Sequence, residues 1–166
     1  MTKDTWYIYQ LSRLGEEIAD QHEIVLDIKD RVSEAEVFLT SEVFVVDKQV
    51  YSVAFLPGYI FVKNLEDLNQ YSAVEESPYI SSGILDYSGP SSVDQEYLWN
   101  VREQFLENEM NKVEIGQIVQ ISKGQWVGFK GVIVDIEIQK RVVTVMIEMD
   151  TIKTMIALPP YAIESW

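Results

Sequence analysis

A proline–glycine pair at positions 57 and 58 restricts the fold of this chain more than any other feature. Pro57 has no backbone N–H to donate within a sheet, and Gly58 tolerates backbone angles that other residues avoid. One apolar run, residues 50–56, ends before the pair, and another, residues 59–62, begins after it. The pair therefore predicts a break between two strands, with Phe55 on one side and Tyr59 on the other.

The composition is that of a folded protein without disulfides. A length of 166 residues fits one ordinary domain or two small ones. The absence of cysteine excludes disulfides and thiolate metal sites. No apolar run approaches the roughly 18 residues of a membrane span, and the N-terminus lacks the apolar core of a signal peptide. We therefore expect a cytoplasmic protein with no membrane association.

The charge is concentrated in the N-terminal two thirds of the chain. The formal net charge is −14, and residues 1–110 hold 7 Lys and Arg against 21 Asp and Glu, whereas residues 111–166 hold 6 of each. An acidic surface repels phosphate backbones, so we expect weak or no direct nucleic-acid binding. Protein partners are favoured, although acidity also serves solubility alone.

Strand-like and helix-like runs alternate over the first 107 residues. Strands are predicted at 6–11, 36–46, 50–56, 60–62 and 79–87. Helices are predicted at 14–28, 65–74 and 93–107, with Asn64 and Ser92 as N-caps of the last two. The order β-α-β-β-β-α-β-α favours an antiparallel sheet with helices on one face, an α+β domain of the ferredoxin-like type.

The character of the chain changes after residue 107. Residues 108–114 are polar and patternless, which predicts a linker between a domain at 1–107 and a domain at 115–166. The second domain contains four strand-like runs at 117–121, 131–138, 141–148 and 152–158, with Gln139-Lys140 as a hairpin turn. Short strands without a helix predict a small all-β barrel of the SH3-like type.

Two groups of motifs, one in each half of the chain, carry a resemblance. The first group is Trp6-Tyr7-Ile8-Tyr9-Gln10, Phe55-Leu56-Pro57-Gly58-Tyr59 and Gly83-Ile84, and the second is Gly116, Val119, Gly124-Gln125-Trp126, Phe129 and Gly131. In this order and spacing they resemble the NusG family of transcription elongation factors over nearly the whole chain. That family has an N-terminal domain with a Trp-Tyr strand and a Phe-Phe-Pro-Gly-Tyr segment, then a KOW domain. It usually has Phe where Ile84 stands.

The resemblance implies a docking role for the N-terminal domain. NusG-like proteins bind the clamp helices of the large RNA polymerase subunit through an apolar pocket and shift the clamp toward its closed, processive form. The residues that this implies as polymerase-binding are Trp6, Leu56, Pro57, Gly58, Tyr59 and Ile84, with Tyr59 as an aromatic anchor. Packing favours Trp6, Phe55 and Ile60 as core residues, whereas Leu56 and Tyr59 fit either role.

The resemblance also implies that the KOW domain recruits a protein, typically the termination factor Rho or a small-subunit ribosomal protein. Met149-Asp150-Thr151-Ile152 aligns with the family's Ile-Phe-Gly-Arg-like tip but lacks its exposed Phe and its Gly. This departure points to a specialised paralogue with a different partner. The candidate partner-binding residues are Trp126, Phe129, Met149 and Ile152, of which Phe129 is more readily placed in the core.

Other roles receive less support from the sequence. An enzyme is disfavoured because there is a single histidine, no phosphate-cradling glycine loop and no His/Glu metal spacing. No cofactor is therefore expected. Separately, we expect the chain to be a monomer. The second-ranked role is a KOW-type RNA-binding or ribosome-associated protein, which a basic stripe around Lys123, Lys130, Lys140 and Arg141 would favour. The acidic residues are predicted to complement a basic polymerase surface.

Overall fold

The computed structural model describes residue 1, residues 4–18 and residues 21–166. They form two compact units. The first unit is Met1–Glu42 with Ala54–Arg102, and the second unit is Val43–Val53 with Glu103–Trp166. Within the described ranges, no helix combines the length and the apolar character that crossing a membrane requires.

The described residues form four α-helices, fourteen β-strands and one 3-10 turn. The first elements are β1 (Trp6–Leu11), α1 (Arg13–Glu17), α2 (His22–Arg31), β2 (Glu36–Phe38), β3 (Ser41–Val46), β4 (Gln49–Ala54) and β5 (Tyr59–Lys63). Next come α3 (Leu68–Glu75), β6 (Ile80–Gly83), β7 (Leu85–Asp86), β8 (Gly89–Pro90), β9 (Ser92–Val93) and α4 (Gln95–Asn111). The last are β10 (Ile118–Ile121), β11 (Lys130–Glu137), β12 (Val142–Met149), β13 (Ile152–Leu158), a 3-10 turn at Pro160–Ala162 and β14 (Ile163–Ser165).

The first unit is built on an antiparallel sheet with the strand order β2-β5-β1-β6, and β9 also pairs with β1. With the hairpin β3–β4 set aside, the chain order is β-α-β-β-α-β, which is that of the ferredoxin-like motif. Because successive strand residues point to opposite faces, alternate residues of β1 and β5 meet the helices. The core on that side includes Tyr7, Tyr9, Leu11, Ile24, Ile28, Ile60, Val62, Tyr71 and Val74. The predicted α+β architecture with an antiparallel sheet is confirmed, but the prediction that the helices lie on one face is wrong, because Leu98 of α4 packs with Trp6 and Phe61 on the opposite face.

Two buried tyrosines in this core are expected to lower the free energy of unfolding at alkaline pH. The Tyr9 hydroxyl donates to the Tyr71 carbonyl oxygen at 3.0 Å, and burial, followed by the charges of neighbouring groups, raises the pKa of Tyr9. Burial, with a smaller contribution from Glu75, raises the pKa of Tyr71 to about 12. In an unfolded chain the tyrosine pKa is about 10.

We therefore expect the free energy of unfolding to be insensitive to these groups below about pH 10 and to fall as pH rises toward 12. The fall occurs because the unfolded chain releases phenolic protons that the folded chain retains. Urea unfolding across this range measures it. Tyr71→Phe, which removes a hydroxyl that has no hydrogen-bond partner among the described residues, should show a shallower fall. An equal fall in both proteins would contradict the assignment to Tyr71.

Helix starts in the first unit differ from the predicted ones. The single helix predicted at 14–28 is two helices, α1 and α2, and residues 19 and 20 lie outside the described residues. Asn64 has a φ of +65° and is not a cap; the N-cap of α3 is Asp67, whose carboxylate accepts from the Gln70 N–H at 2.9 Å. Asp94 accepts from the Tyr97 N–H at the start of α4, while Ser92 pairs with β1 instead.

The strand predicted at 36–46 is interrupted at Thr40, which is buried. The Thr40 and Ser41 N–H groups donate to the Gln21 side-chain oxygen at 3.1 and 3.2 Å, and the Thr40 carbonyl accepts from the Phe55 N–H at 2.9 Å. These bonds hold Thr40 and Ser41, at the start of the hairpin β3–β4, and Phe55, just after its end, within the first unit. The hairpin itself, residues 43–53, belongs to the second unit.

The second unit contains an antiparallel five-stranded sheet with the order β13-β12-β11-β10-β14. The four strands predicted after residue 115 are present, and the predicted two-residue turn is a loop at 138–141. The core of the unit includes Val119, Ile121, Ile133, Val143, Val145, Ile147, Ile156 and Leu158, together with Tyr51 from β4. Tyr51 lies so close to Gly124 that a Cβ there would be 2.9 Å from the ring.

The predicted boundaries of the two domains need correction. Helix α4 continues through residues 108–111, so most of the predicted linker at 108–114 is helical, and the division between the compact units falls within the helix, after Arg102. Residues 108–111 lack an apolar pattern, and pairs of polar side chains three or four residues apart stabilise them as the last turn of α4. The Gln104 amide donates to the Asn108 side chain at 3.0 Å, and Lys112 pairs with Glu109 at 2.9 Å.

Candidate functional site

The face of the first sheet that points away from α2 and α3 is aromatic. By strand alternation, Trp6, Phe38 and Phe61 point to this face, where buried Leu98 of α4 joins Trp6 and Phe61 in a core cluster. We call the rings of Trp6, Phe38, Phe55, Phe61 and Trp99 the aromatic face.

Phe38 is the centre of the aromatic face. Its ring centroid lies 5.8 Å from that of Trp6, 6.1 Å from Phe55, 6.3 Å from Phe61 and 5.9 Å from Trp99, and all four pairs meet edge to face. Such contacts add to the free energy gained by burial. Trp99 remains 46% exposed, so one ring of the cluster reaches the surface.

The proline–glycine break lies at the margin of this face. It joins β4 to β5, Gly58 has a φ of +88°, and the Gly58 carbonyl accepts from the Leu11 N–H at 2.8 Å. Leu56 is half-buried and packs against the cluster around Trp6, whereas Pro57 is exposed. Tyr59 is 39% exposed. The break therefore places one apolar side chain, Leu56, and one aromatic side chain, Tyr59, at the margin of the aromatic face.

The remaining predicted site residues take distinct positions. Trp6 is buried, as are Phe55 and Ile60, in agreement with their interpretation as core residues. Ile84 is half-buried, and its N–H donates to the Ile8 carbonyl at 2.9 Å. Since Ile8 packs against the Trp6 cluster, Ile84 is linked to the aromatic face through β1.

Cations lie beside two rings of the aromatic face. The Lys63 ammonium is 5.1 Å from the Trp6 ring centroid and 3.4 Å from a Glu36 carboxylate oxygen, and the Arg102 guanidinium is 5.5 Å from the Trp99 ring centroid. Trp6 Nε1 is buried without a hydrogen-bond partner among the described residues. Nowhere in the described ranges do three or more His, Asp or Glu side chains form a metal-binding group.

Sequence reasoning missed Phe38 and Trp99 as members of this face. Phe38 lies in β2, a strand of three residues. Its pairing could not be predicted, because residues 36–46 were predicted as one longer strand. Trp99 lies next to Leu98 in the helix predicted at 93–107, and nothing in the sequence pattern marked it as part of a site. The alternation of Val37 toward the helices and Phe38 away from them is the signal that could have identified Phe38.

The candidate residues of the second unit meet at one end of its sheet. Strand β11 begins at Lys130 and β12 ends at Met149, and antiparallel pairing places these ends together. Met149 pairs with Ile152 across the turn Asp150-Thr151. The Trp126 and Phe129 rings, just before β11, are 5.5 Å apart.

Phe129 is not the core residue that its position suggested, because it is 38% exposed. Its N–H donates to the Trp126 carbonyl in a tight turn, and Trp126 packs against the core instead. Ile152 is exposed and Met149 is half-buried. Two of the four candidates are therefore accessible, and two support them.

The four cations proposed as a basic stripe all have neighbours within the second unit. Lys140 pairs with Glu137 at 3.5 Å, and Arg141 pairs with Glu103 at 3.1 Å. The Lys130 ammonium lies 3.9 Å from the Trp166 ring centroid, and Lys123 lies 3.5 Å from the Ser52 carbonyl oxygen. Carboxylates thus offset two of the four charges.

Comparison with known proteins gives structural neighbours but no family match. No protein-family model matches the chain. A structure described as domain interaction in Thermotoga maritima NusG is 20% identical, with 97% of this chain and 96% of that chain covered and a TM-score of 0.39. The crystal structure of the MjSpt4:Spt5 complex in conformation A is 16% identical, with 97% of each chain covered and a TM-score of 0.38. Because these TM-scores are low, the function proposed next rests on the motifs and geometry of the chain itself.

Proposed function

We propose that this chain is a NusG-like transcription elongation factor that docks on the clamp helices of the large RNA polymerase subunit through its first unit. The observation that carries the proposal is the position of Leu56 and Tyr59, which stand accessible at the margin of the aromatic face. The same five-residue motif that resembles the family's docking segment forms this margin.

The geometry suggests how docking proceeds. Tyr59 acts as the aromatic anchor, and Leu56 adds apolar contact. Both side chains are accessible, and residues at the well-packed centre of an interface contribute most of the binding free energy. Trp6 and Phe61 are buried within the aromatic face, and Leu56 packs against their cluster. Binding the closed clamp more tightly than the open clamp shifts the polymerase toward its processive form, by about 1.4 kcal/mol for each tenfold preference.

For the second unit, we propose an SH3-like barrel of the KOW type that recruits a protein partner at the end of the sheet holding Phe129 and Ile152. Their exposure beside Trp126 and Met149 supports this. The tip lacks the Phe and Gly of the family's partner loop, so the proposed partner differs from Rho and the ribosomal protein. This difference is what a specialised paralogue would show.

The RNA-binding alternative remains below this proposal. It needs cations that are free to meet phosphates, and two of the four candidate cations are paired with Glu137 and Glu103. The remaining two lie against aromatic rings, Trp166 and Tyr161. The first 110 residues add a large acidic excess that opposes nucleic-acid binding.

A titration of the full chain against a clamp-helix fragment tests the docking proposal and the role of the acidic surface together. We expect binding that weakens by about tenfold as salt rises from about 0.1 M to about 1 M, because the Debye length falls from about 10 Å to about 3 Å. Absence of binding at low salt would refute docking. Binding that salt does not change would retain docking but remove the acidic surface from the interface.

A further inference from the structure

A buried polar pair, Gln21 and Thr40, contacts both ends of the segment that contains the proline–glycine break. Gln21 is 8% exposed and Thr40 is 1% exposed, and they are two of the three buried polar residues in the part of the chain that the structure describes. The Thr40 carbonyl accepts from the Phe55 N–H at 2.9 Å, and the Thr40 hydroxyl donates to the Tyr59 carbonyl. Thr40 therefore bridges the two ends of the segment 55–59. We call Gln21 and Thr40 the polar clasp.

Gln21 holds Thr40 in place. Its side-chain oxygen accepts from the Thr40 N–H at 3.1 Å and from the Ser41 N–H at 3.2 Å, and its amide nitrogen donates to the Thr40 hydroxyl at 3.4 Å. Gln21 is also the first residue before α2, where its carbonyl accepts from the N–H of the fully buried Ile24 at 3.0 Å. The clasp therefore connects the break to the core of the unit through the start of α2.

The polarity of the clasp has a role beyond filling space. A buried amide or hydroxyl costs free energy unless it is hydrogen-bonded, and valine would occupy nearly the same volume as Thr40 without a hydroxyl to satisfy. In the clasp, the side-chain nitrogen and oxygen atoms of both residues all have partners. A fully satisfied buried network favours a single conformation of the groups that it joins.

Strand β1 holds the same segment from the opposite side. Because β5 lies between β2 and β1, Thr40, which follows β2, and Leu11 of β1 approach the segment from opposite edges. The Leu11 N–H donates to the Gly58 carbonyl at 2.8 Å. Strand alternation places Tyr59 on the same face of β5 as Phe61, which belongs to the aromatic face. The backbone bonds of Thr40 therefore determine how Tyr59 stands relative to that face.

We propose that Gln21 and Thr40 are positioning residues for docking, which hold Leu56 and Tyr59 in the conformation that binds the clamp helices. This inference rests on the proposed docking function. A partner that recognises one conformation binds more weakly in proportion to the fraction of molecules that adopt it. The clasp therefore raises affinity without touching the partner, because the segment is already ordered before binding.

Fluorine NMR of the full chain tests the positioning without any partner. A trifluoromethyl-phenylalanine replaces Tyr59, and its signal reports the surroundings of the ring. We expect a shifted or additional signal in Thr40→Val, which loses the hydroxyl, and in Gln21→Met, which keeps the length of the side chain but loses its hydrogen bonds. Thr40→Ser, which retains a hydroxyl, should keep the signal of the unsubstituted clasp.

Ser77→Ala is the matched control, because it removes another buried hydroxyl of the same unit. Ser77 is 2% exposed, and its hydroxyl accepts from the Tyr79 N–H at 3.3 Å. The control should lower the thermal stability of the chain, as the clasp variants do, but leave the fluorine signal unchanged. Thermal unfolding of each variant shows that it is folded at the temperature of the measurement.

Titration against the clamp-helix fragment, with Tyr59 restored, measures the consequence for docking. Thr40→Val and Gln21→Met should each weaken binding by about tenfold, whereas Thr40→Ser and Ser77→Ala should bind within about twofold of the wild type. A fluorine signal unchanged in both clasp variants, or changed equally in Ser77→Ala, would overturn the positioning role while leaving docking intact. So would undiminished affinity of both clasp variants. A folded wild type that does not bind would refute docking itself and, with it, any role of the clasp in docking.

Discussion

Replacing Tyr59 with alanine is expected to weaken binding to the clamp-helix fragment by about 30-fold, and replacing Leu56 with glutamate by more than 100-fold. The first value corresponds to about 2 kcal/mol, the loss usual for an aromatic anchor. The second is larger because the new carboxylate must be desolvated against the cluster around Trp6. Isothermal titration with the full chain measures both.

Tyr87 supplies the matched control for Tyr59. It is a fully exposed tyrosine of the same unit, and it lies outside the aromatic face. Tyr87→Ala should bind as the wild type does. If Tyr87→Ala weakened binding as much as Tyr59→Ala, the interface would not centre on the break. Near-ultraviolet circular dichroism, which reports the aromatic face itself, shows whether Leu56→Glu leaves the fold intact.

The second large effect concerns stability and falls on Gly83. A Cβ added there would lie 1.7 Å from the Tyr71 hydroxyl oxygen and 2.4 Å from its Cζ. The Tyr71 ring cannot move aside easily, because it is buried and its centroid lies 4.9 Å from that of Tyr9 and 6.0 Å from that of Tyr7. We expect Gly83→Ala to lower the free energy of unfolding by about 3 kcal/mol, as overpacking does.

Urea unfolding measures this loss, and Ser81→Ala on the same strand is the control. Ser81 is exposed, so its replacement should change stability by less than about 0.5 kcal/mol. In the Tyr71→Leu background, Gly83→Ala should lower the free energy of unfolding by less than it does in the wild type, because the obstructing ring is gone. If the cost of Gly83→Ala were the same with and without the ring, the steric explanation would be wrong.

The sequence was most informative where periodicity and turn chemistry agree. The four strands after residue 115 follow from runs of β-branched residues separated by turn residues, and the break at Pro57-Gly58 follows from backbone chemistry alone. The burial of Trp6 and Ile60 also follows, since each stands within an apolar strand.

Features that depend on distant contacts were not predictable. The hairpin at 43–53 reads as part of the first domain, yet Tyr51 packs in the second unit against Gly124, which is far from it in sequence. The helical residues 108–111 lack an apolar pattern and depend on side-chain pairs such as Lys112–Glu109. Phe38 became central to the candidate site only through the ring contacts that the fold brings together.

Site-specific photo-crosslinking tests the central proposal most directly. A photoreactive phenylalanine analogue replaces Tyr59 in one sample of the full chain and Tyr87 in another, and each is irradiated with intact RNA polymerase. Docking through the margin of the aromatic face predicts crosslinks from position 59 to the clamp helices of the large subunit, with none from position 87. Crosslinks from position 59 to another polymerase region, or equal crosslinks from both positions, would contradict it.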